Sequence, residues 1–259
     1  DAEKTASYEV GLQQEIATGM VLDVTVYYRD IYNLLTVVPV ETYNARVYGL
    51  YDNLDYAMAK GITFNLDYEM GDLFVNMNYS LQYAEGKASN PYQFFLNAGT
   101  QDPVIKLTRL NHDQRHTINS IIGYKKNNLT SSLTLRWNSN GPYTYSPRVD
   151  NVQANARIPI NNSTMPNRFT ADFNLQYGFK LLNGLKAKFF LEVYNLFDNK
   201  NENQVWGDSG RAGTTLQTET QKLSYRSNFA TIEDFYLRPH FYSAPRMIKM
   251  GLAINFHLR

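Results

Sequence analysis

Between Leu73 and Ala84 every second residue is apolar. Leu73, Val75, Met77, Tyr79, Leu81 and Tyr83 alternate with mostly Asn, Ser and Gln. Successive side chains of an extended chain point to opposite faces, so this pattern makes a β-strand with one apolar and one polar side. It recurs over Ser7–Ala17, Met20–Arg29, Ala57–Met70, His116–Tyr124, Leu129–Trp137, Phe169–Phe179, Leu185–Tyr194 and Arg246–Phe256. The chain is therefore expected to be all-β, with about nine strands. Each is near the ten residues that a tilted strand needs to cross a bilayer.

The connections sort by length. Thr18-Gly19, Gly71-Asp72, Lys125–Asn128 and Asn183-Gly184 are short, and the last is a hairpin signal. Ile31–Tyr56, Glu85–Arg115, Asn138–Arg168 and Asn195–Ala244 are long. Short and long alternate strictly, which gathers the long loops at one end. A soluble sandwich has no reason for that arrangement. An outer-membrane barrel does, with short turns in the periplasm and long loops outside.

Aromatic placement agrees. Strands running outward should finish in an aromatic at the outer interface, as Tyr28, Tyr83 and Trp137 do. Strands running inward should finish in one at the inner interface, as Tyr68, Tyr124, Phe179 and Phe256 do. One end of such a ring is apolar, and Tyr or Trp can hydrogen-bond at the other. The chain holds 20 Tyr and 14 Phe, which supply these positions.

Nine antiparallel strands do not close, because the first and last run the same way. An edge in lipid leaves unpaired backbone groups at several kcal/mol each. The chain is therefore expected to form the C-terminal part of a larger transmembrane antiparallel barrel, over residues 1–259. The remaining strands would precede Asp1 or lie on another chain.

The net charge of +1 gives no electrostatic case for a nucleic-acid partner. With no cysteine, disulfides and thiolate metal sites are excluded. Sequence signatures for serine hydrolases, zinc proteases and phosphate loops are missing, so enzymatic activity and a cofactor are not expected. His112 and His116 flank Asp113, but on an extended strand they would stand about 13 Å apart, too far for one ion. Among the long loops, Tyr143, Tyr145 and Arg148, and then Trp206, Asp208 and Arg211, are the candidate ligand-binding residues. Aromatics offer contact area at low entropy cost, and Arg grips carboxylate or phosphate.

Five stretches carry a resemblance. Glu3-Lys4-Thr5 with Tyr8-Glu9-Val10-Gly11 opens the chain. Asn53–Ile62, Leu110–Asn119 and Val193–Asn201 follow, and Ala244-Pro245-Arg246 through Phe256 closes it. In this order they resemble the barrel motifs of TonB-dependent outer-membrane receptors. That family usually ends on the aromatic, whereas His257-Leu258-Arg259 follow Phe256 here. The resemblance implies a 22-stranded barrel in the outer membrane of a Gram-negative bacterium. It also implies an N-terminal plug, energy from TonB, and active import of a scarce nutrient: a siderophore, glycan, peptide or cobalamin. The partners implied are the remaining strands and plug of the same receptor, the TonB complex through that plug, and outer-membrane lipids. A surface lipoprotein is a further candidate partner. The competing readings are a passive porin, an adhesion barrel and a soluble all-β binding module.

Overall fold

The structure is a computed structural model. It describes residues 2–44, 46–87, 107–146, 158–181, 185–216 and 238–255, apart from the side chains at 54 and 255. Among these residues twelve strands appear, in the order β1 (Lys4–Ala17), β2 (Met20–Glu41), β3 (Val47–Met70), β4 (Leu73–Gly86), β5 (Thr108–Arg109), β6 (His116–Lys126), β7 (Leu129–Asn138), β8 (Pro142–Tyr143), β9 (Ser163–Thr164), β10 (Arg168–Lys180), β11 (Lys186–Tyr194) and β12 (Met247–Asn255). The nine long ones form a single antiparallel meander, ordered β1-β2-β3-β4-β6-β7-β10-β11-β12. Short β5 pairs with β4, and β8 pairs with β9 as a separate ribbon. The sheet is open: β1 and β12 are its edges and do not pair with each other.

Cross-strand register joins the period-two patterns into two continuous faces. One row runs Leu12, Val24, Phe64, Tyr79, Ile118, Trp137 and Phe169 across seven strands. A second joins Phe173, Val193 and Ile248. The opposite face carries rows such as Gln13, Asp23, Asn65, Asn78, Asn119, Arg136 and Thr170. A one-residue slip would move every side chain to the wrong face, so two unlike faces fix the register.

The apolar face is bare. Val26 is 52% exposed, Ile122 38% and Leu252 54%. A sandwich would bury such residues under a second sheet. The buried hydrophobic cluster here is instead small: Ala57, Ala84 and Leu110, with Ile31 and Leu34 against it.

The turns use the chemistry the sequence offers. Gly19 (φ 73°), Gly71 (φ 61°) and Asn127 (φ 49°) take the left-handed conformation between β1 and β2, β3 and β4, and β6 and β7. At Gly19 a Cβ would also meet the Glu69 carbonyl. Asn183-Gly184 lies outside the described residues, although β10 and β11 pair up to Lys180↔Lys186 on either side of it.

One expected loop is strand instead. Over Ile31–Tyr56 the β2–β3 hairpin simply continues, pairing as far as Glu41↔Val47. The register shifts between Tyr32 and Leu35, beside Asn33 (φ 58°). That bulge interrupts the alternation, and Pro39 sits on the extension. Tyr28 is consequently mid-strand rather than at a strand end. β2 runs about 13 residues, roughly 40 Å, beyond it.

Candidate outer-loop platform

The long connections meet at the end of the sheet where β4, β7 and β11 finish. Their roots are held by hydrogen bonds between residues far apart in sequence.

The first root is built on Asp113, which is fully buried. Arg109 Nε (2.7 Å) and Arg115 Nε (2.8 Å) both donate to Asp113 Oδ2, and the Ala84 N–H donates to Oδ1 (2.9 Å). Arg115 also lies 4.0 Å over the Tyr83 ring. A buried carboxylate is tolerated only when paired and hydrogen-bonded, and this one has two cations and an amide. Arg109 then reaches onward, with Nη1 donating to Thr164 Oγ1 (2.8 Å).

Asparagines tie the other roots. Asn140 Nδ2 donates to the carbonyls of Pro166 (2.9 Å) and Glu202 (3.0 Å). Asn161 Nδ2 donates to the Arg109 carbonyl (2.7 Å) and to Asn111 Oδ1 (2.9 Å). Asn195 Nδ2 donates to the carbonyls of Asn199 (3.0 Å) and Ala244 (3.1 Å). Asn140, Asn161 and Asn195 have φ of 60°, 56° and 52° and are buried. Asn adopts this conformation more readily than other side-chain-bearing residues, and its amide both donates and accepts. The network joins residues 107–115, 138–146, 158–168, 195–216 and 238–246 into one platform.

Five of the six candidate ligand residues fall on this platform. Tyr143 lies on β8, with its ring against Gly210 (φ 71°), where a Cβ would collide with it. Tyr145 is 37% exposed, and its backbone pairs with the Asn162 side chain at 2.7 and 3.0 Å. Ser146 N–H donates to the Gly207 carbonyl (2.9 Å), bringing the loops of Tyr145 and Trp206 together. Trp206 is no open stacking surface, because the Arg238 guanidinium lies 3.9 Å over its ring and Phe241 tilts against it at 5.8 Å. Asp208 is buried; its Oδ2 accepts from Thr215 Oγ1 (2.7 Å) and the Leu216 N–H (3.0 Å). Arg211 grips Glu202 Oε1 through Nε (2.8 Å) and Nη2 (2.7 Å). Arg148 lies outside the described residues.

The histidines part. Asn111 and His112 form a turn rather than the extended strand that the 13 Å spacing assumed. His116 is hydrogen-bonded through Nδ1 to the Tyr79 hydroxyl (2.9 Å) and packs between Tyr79 and Trp137. No group of three or more acidic or histidine side chains suited to a metal occurs among the described residues.

The expected interface aromatics lie on the apolar face. Tyr28, Lys60 and Tyr83 share a row, and Trp137 is the penultimate residue of β7. Tyr68 and Tyr124 lie two residues before the ends of β3 and β6, and Phe179 is penultimate in β10. Phe256 is outside the described residues.

Two features escaped sequence reasoning. Above the Tyr28 row, Asp30 accepts hydrogen bonds from the hydroxyls of Tyr28 (2.9 Å) and Tyr56. The bond to Asp30, with burial adding to it, pushes the Tyr56 phenol well above its ordinary pKa. On the polar face, three aromatics lie over glycines of the next strand: Tyr27 over Gly61, Phe74 over Gly123 and Phe190 over Gly251. An aromatic on a polar face opposite a glycine is the signal that could have found these pairs.

The sequence model described as TonB dependent receptor-like, beta-barrel matches residues 1–196. The chain belongs to the TonB-dependent receptor family. Solved structures of similar fold include Pseudomonas aeruginosa FpvA bound to heterologous pyoverdines (12% identical, TM-score 0.56, 96% of this chain and 27% of that one). The outer membrane transporter YddB of Escherichia coli is 13% identical, with a TM-score of 0.54 over 77% of this chain and 29% of its own. The FrpB iron transporter of Neisseria meningitidis is 15% identical, with a TM-score of 0.53 over 77% and 28%. No curated protein sequence matches the chain. This TonB-dependent receptor chain spans little more than a quarter of each of those structures. The open nine-stranded meander is the barrel portion such a span supplies.

Proposed function

We propose that this chain forms nine strands in the wall of a larger, 22-stranded outer-membrane barrel. That barrel binds a scarce nutrient outside the cell and imports it with energy delivered by TonB. The bare apolar face, continuous over all nine strands, carries the reading, because such a surface is stable only against lipid. From Leu73 to Tyr83, β4 spans about 35 Å, and tilting by roughly 45° brings this to the apolar band of about 25 Å. Tyr28, Tyr83 and Trp137 then mark the outer interface, and Tyr68, Tyr124, Phe179 and Phe256 the inner one. The polar face lines the lumen and meets a plug that connects to TonB, with outer-membrane lipid on the other side.

The ligand site lies on the outer platform, within Asn138–Arg168 and Asn195–Ala244. Tyr145 is its open contact, with Arg148 in the same loop. Tyr143, set against Gly210, holds the two loops together, and Trp206, Asp208 and Arg211 brace the second loop from within and set the shape presented. The nutrient is a siderophore, glycan, peptide or cobalamin, and a surface lipoprotein is a candidate capture partner.

The test is growth of cells carrying the whole receptor on each nutrient class as sole limiting source, with and without TonB and with a protonophore. Uptake that needs the receptor, TonB and the proton-motive force supports the proposal. Uptake that needs the receptor but neither energy source makes the chain part of a passive porin.

A further inference from the structure

The polar face is sorted by charge at its short-turn end. On β1 and β3 it carries Glu15, Asp67 and Glu69; on β10 and β11 it carries Lys180, Lys186 and Lys188. All six side chains are exposed, and none forms an ion pair among the described residues. Nearer the outer end, opposite charges on this face neutralise each other within the wall, as in Arg29–Glu9 and Arg136–Asp172, each 2.7 Å. The patches are four strand spacings apart, about 19 Å along the sheet, roughly twice the screening length at physiological salt. They therefore do not offset each other. Lys125 on β6, between them, adds to the basic side. Clustering like charges costs self-repulsion that interspersed signs would avoid. A docked surface of opposite sign removes that repulsion and fixes one orientation.

We propose that this end of the polar face is a charge-keyed seat for the receptor's plug. Basic side chains of the plug face β1–β3, and acidic ones face β10–β11. The proposal rests on the reading of the polar face as a plugged lumen and adds to it the orientation and the residues that set it. The plug is the occupant of choice because the seat lies on the wall's polar side, away from lipid. Its two halves also demand a single folded surface carrying both signs about 19 Å apart. A small solute cannot bridge that span.

The experiment uses the whole receptor in cells. One variant carries Lys180→Glu, Lys186→Glu and Lys188→Glu; a second carries Glu15→Lys, Asp67→Lys and Glu69→Lys. A third, with the three lysines changed to Gln, serves if a reversal does not assemble. Heat-modifiable gel mobility reports barrel assembly. Sensitivity to vancomycin, too large to cross an intact outer membrane, reports a loosened plug. A receptor with the plug deleted sets the fully open level. The expected result is normal heat-modifiability with several-fold greater vancomycin sensitivity in both reversals, and a smaller change in the Gln variant. Assembled reversal or Gln variants as tight as wild type, beside a leaky plug deletion, overturn the charge-keyed seat and leave the plugged lumen standing. A plug deletion that does not leak overturns both.

Discussion

Asp113 is the residue on which the outer loops depend most. Its carboxylate holds Arg109 and Arg115, both about four-fifths buried at the side chain, and caps the Ala84 amide. Asp113→Asn keeps the shape but leaves two cations facing a neutral amide. Breaking a buried pair in this way costs about 3–5 kcal/mol. The expected outcome is faster hydrogen exchange and proteolysis at residues 107–115 and 158–168, with barrel assembly unchanged. Unaltered exchange there would show that the asparagines alone hold the platform. On the polar face, Gly123→Val should displace Phe74, whose ring occupies the space a Cβ would need. Overpacking of this kind costs about 1–3 kcal/mol. The variant should assemble at a lower yield, and Phe74→Ala in the same chain should restore it. The Phe74–Gly123 pair left a trace in the sequence, an aromatic on a polar face opposite a glycine, but the loop network left none. The partners of Asn140 and Asn161 lie 26 to 62 positions away, and no periodicity announces such pairs.

Elements were read with unequal success, for a physical reason. β4, β7 and β10 match their sequence patterns to within two residues because each crosses between two unlike media. The outer half of the β2–β3 hairpin has no such contrast. Val47, Tyr48, Leu50 and Tyr51 are successive or near-successive apolar residues on both of its faces, all exposed. Thr36 and Val37 are both buried but adjacent, hence on opposite faces, so neither face is set apart and the strand signal disappears into a Tyr-rich stretch that reads as loop. Two substitutions in β4 test the assignment of faces. Met77→Arg, mid-strand on the apolar face, should cost about 2–4 kcal/mol and abolish heat-modifiable folding, whereas Asn78→Arg should assemble. Equal effects would mean that the faces do not separate lipid from lumen. Replacing residues 36–52 by a two-residue turn should leave assembly intact, because that half of the hairpin lies beyond the apolar band. An unfolded receptor would show that the extension instead nucleates the sheet.

At the scale of the molecule, the nine-stranded sheet has two open edges and one bare apolar side. Its order was readable from the alternation of short and long connections, since each short turn forces antiparallel neighbours. How the loops interlock was not. The central claim is that one face meets lipid and the other a hydrated lumen along the whole sheet. The chain contains no cysteine, so single cysteines can be placed one at a time from Val75 to Leu81 in a receptor otherwise free of cysteine. Nitroxide labels at these sites report contact with oxygen dissolved in lipid or with a water-soluble nickel chelate. We expect a period of two: oxygen contact at Val75, Met77, Tyr79 and Leu81, and chelate contact or burial against the plug at Asn76, Asn78 and Ser80. Uniform chelate access along both sets of positions would contradict the membrane-spanning wall.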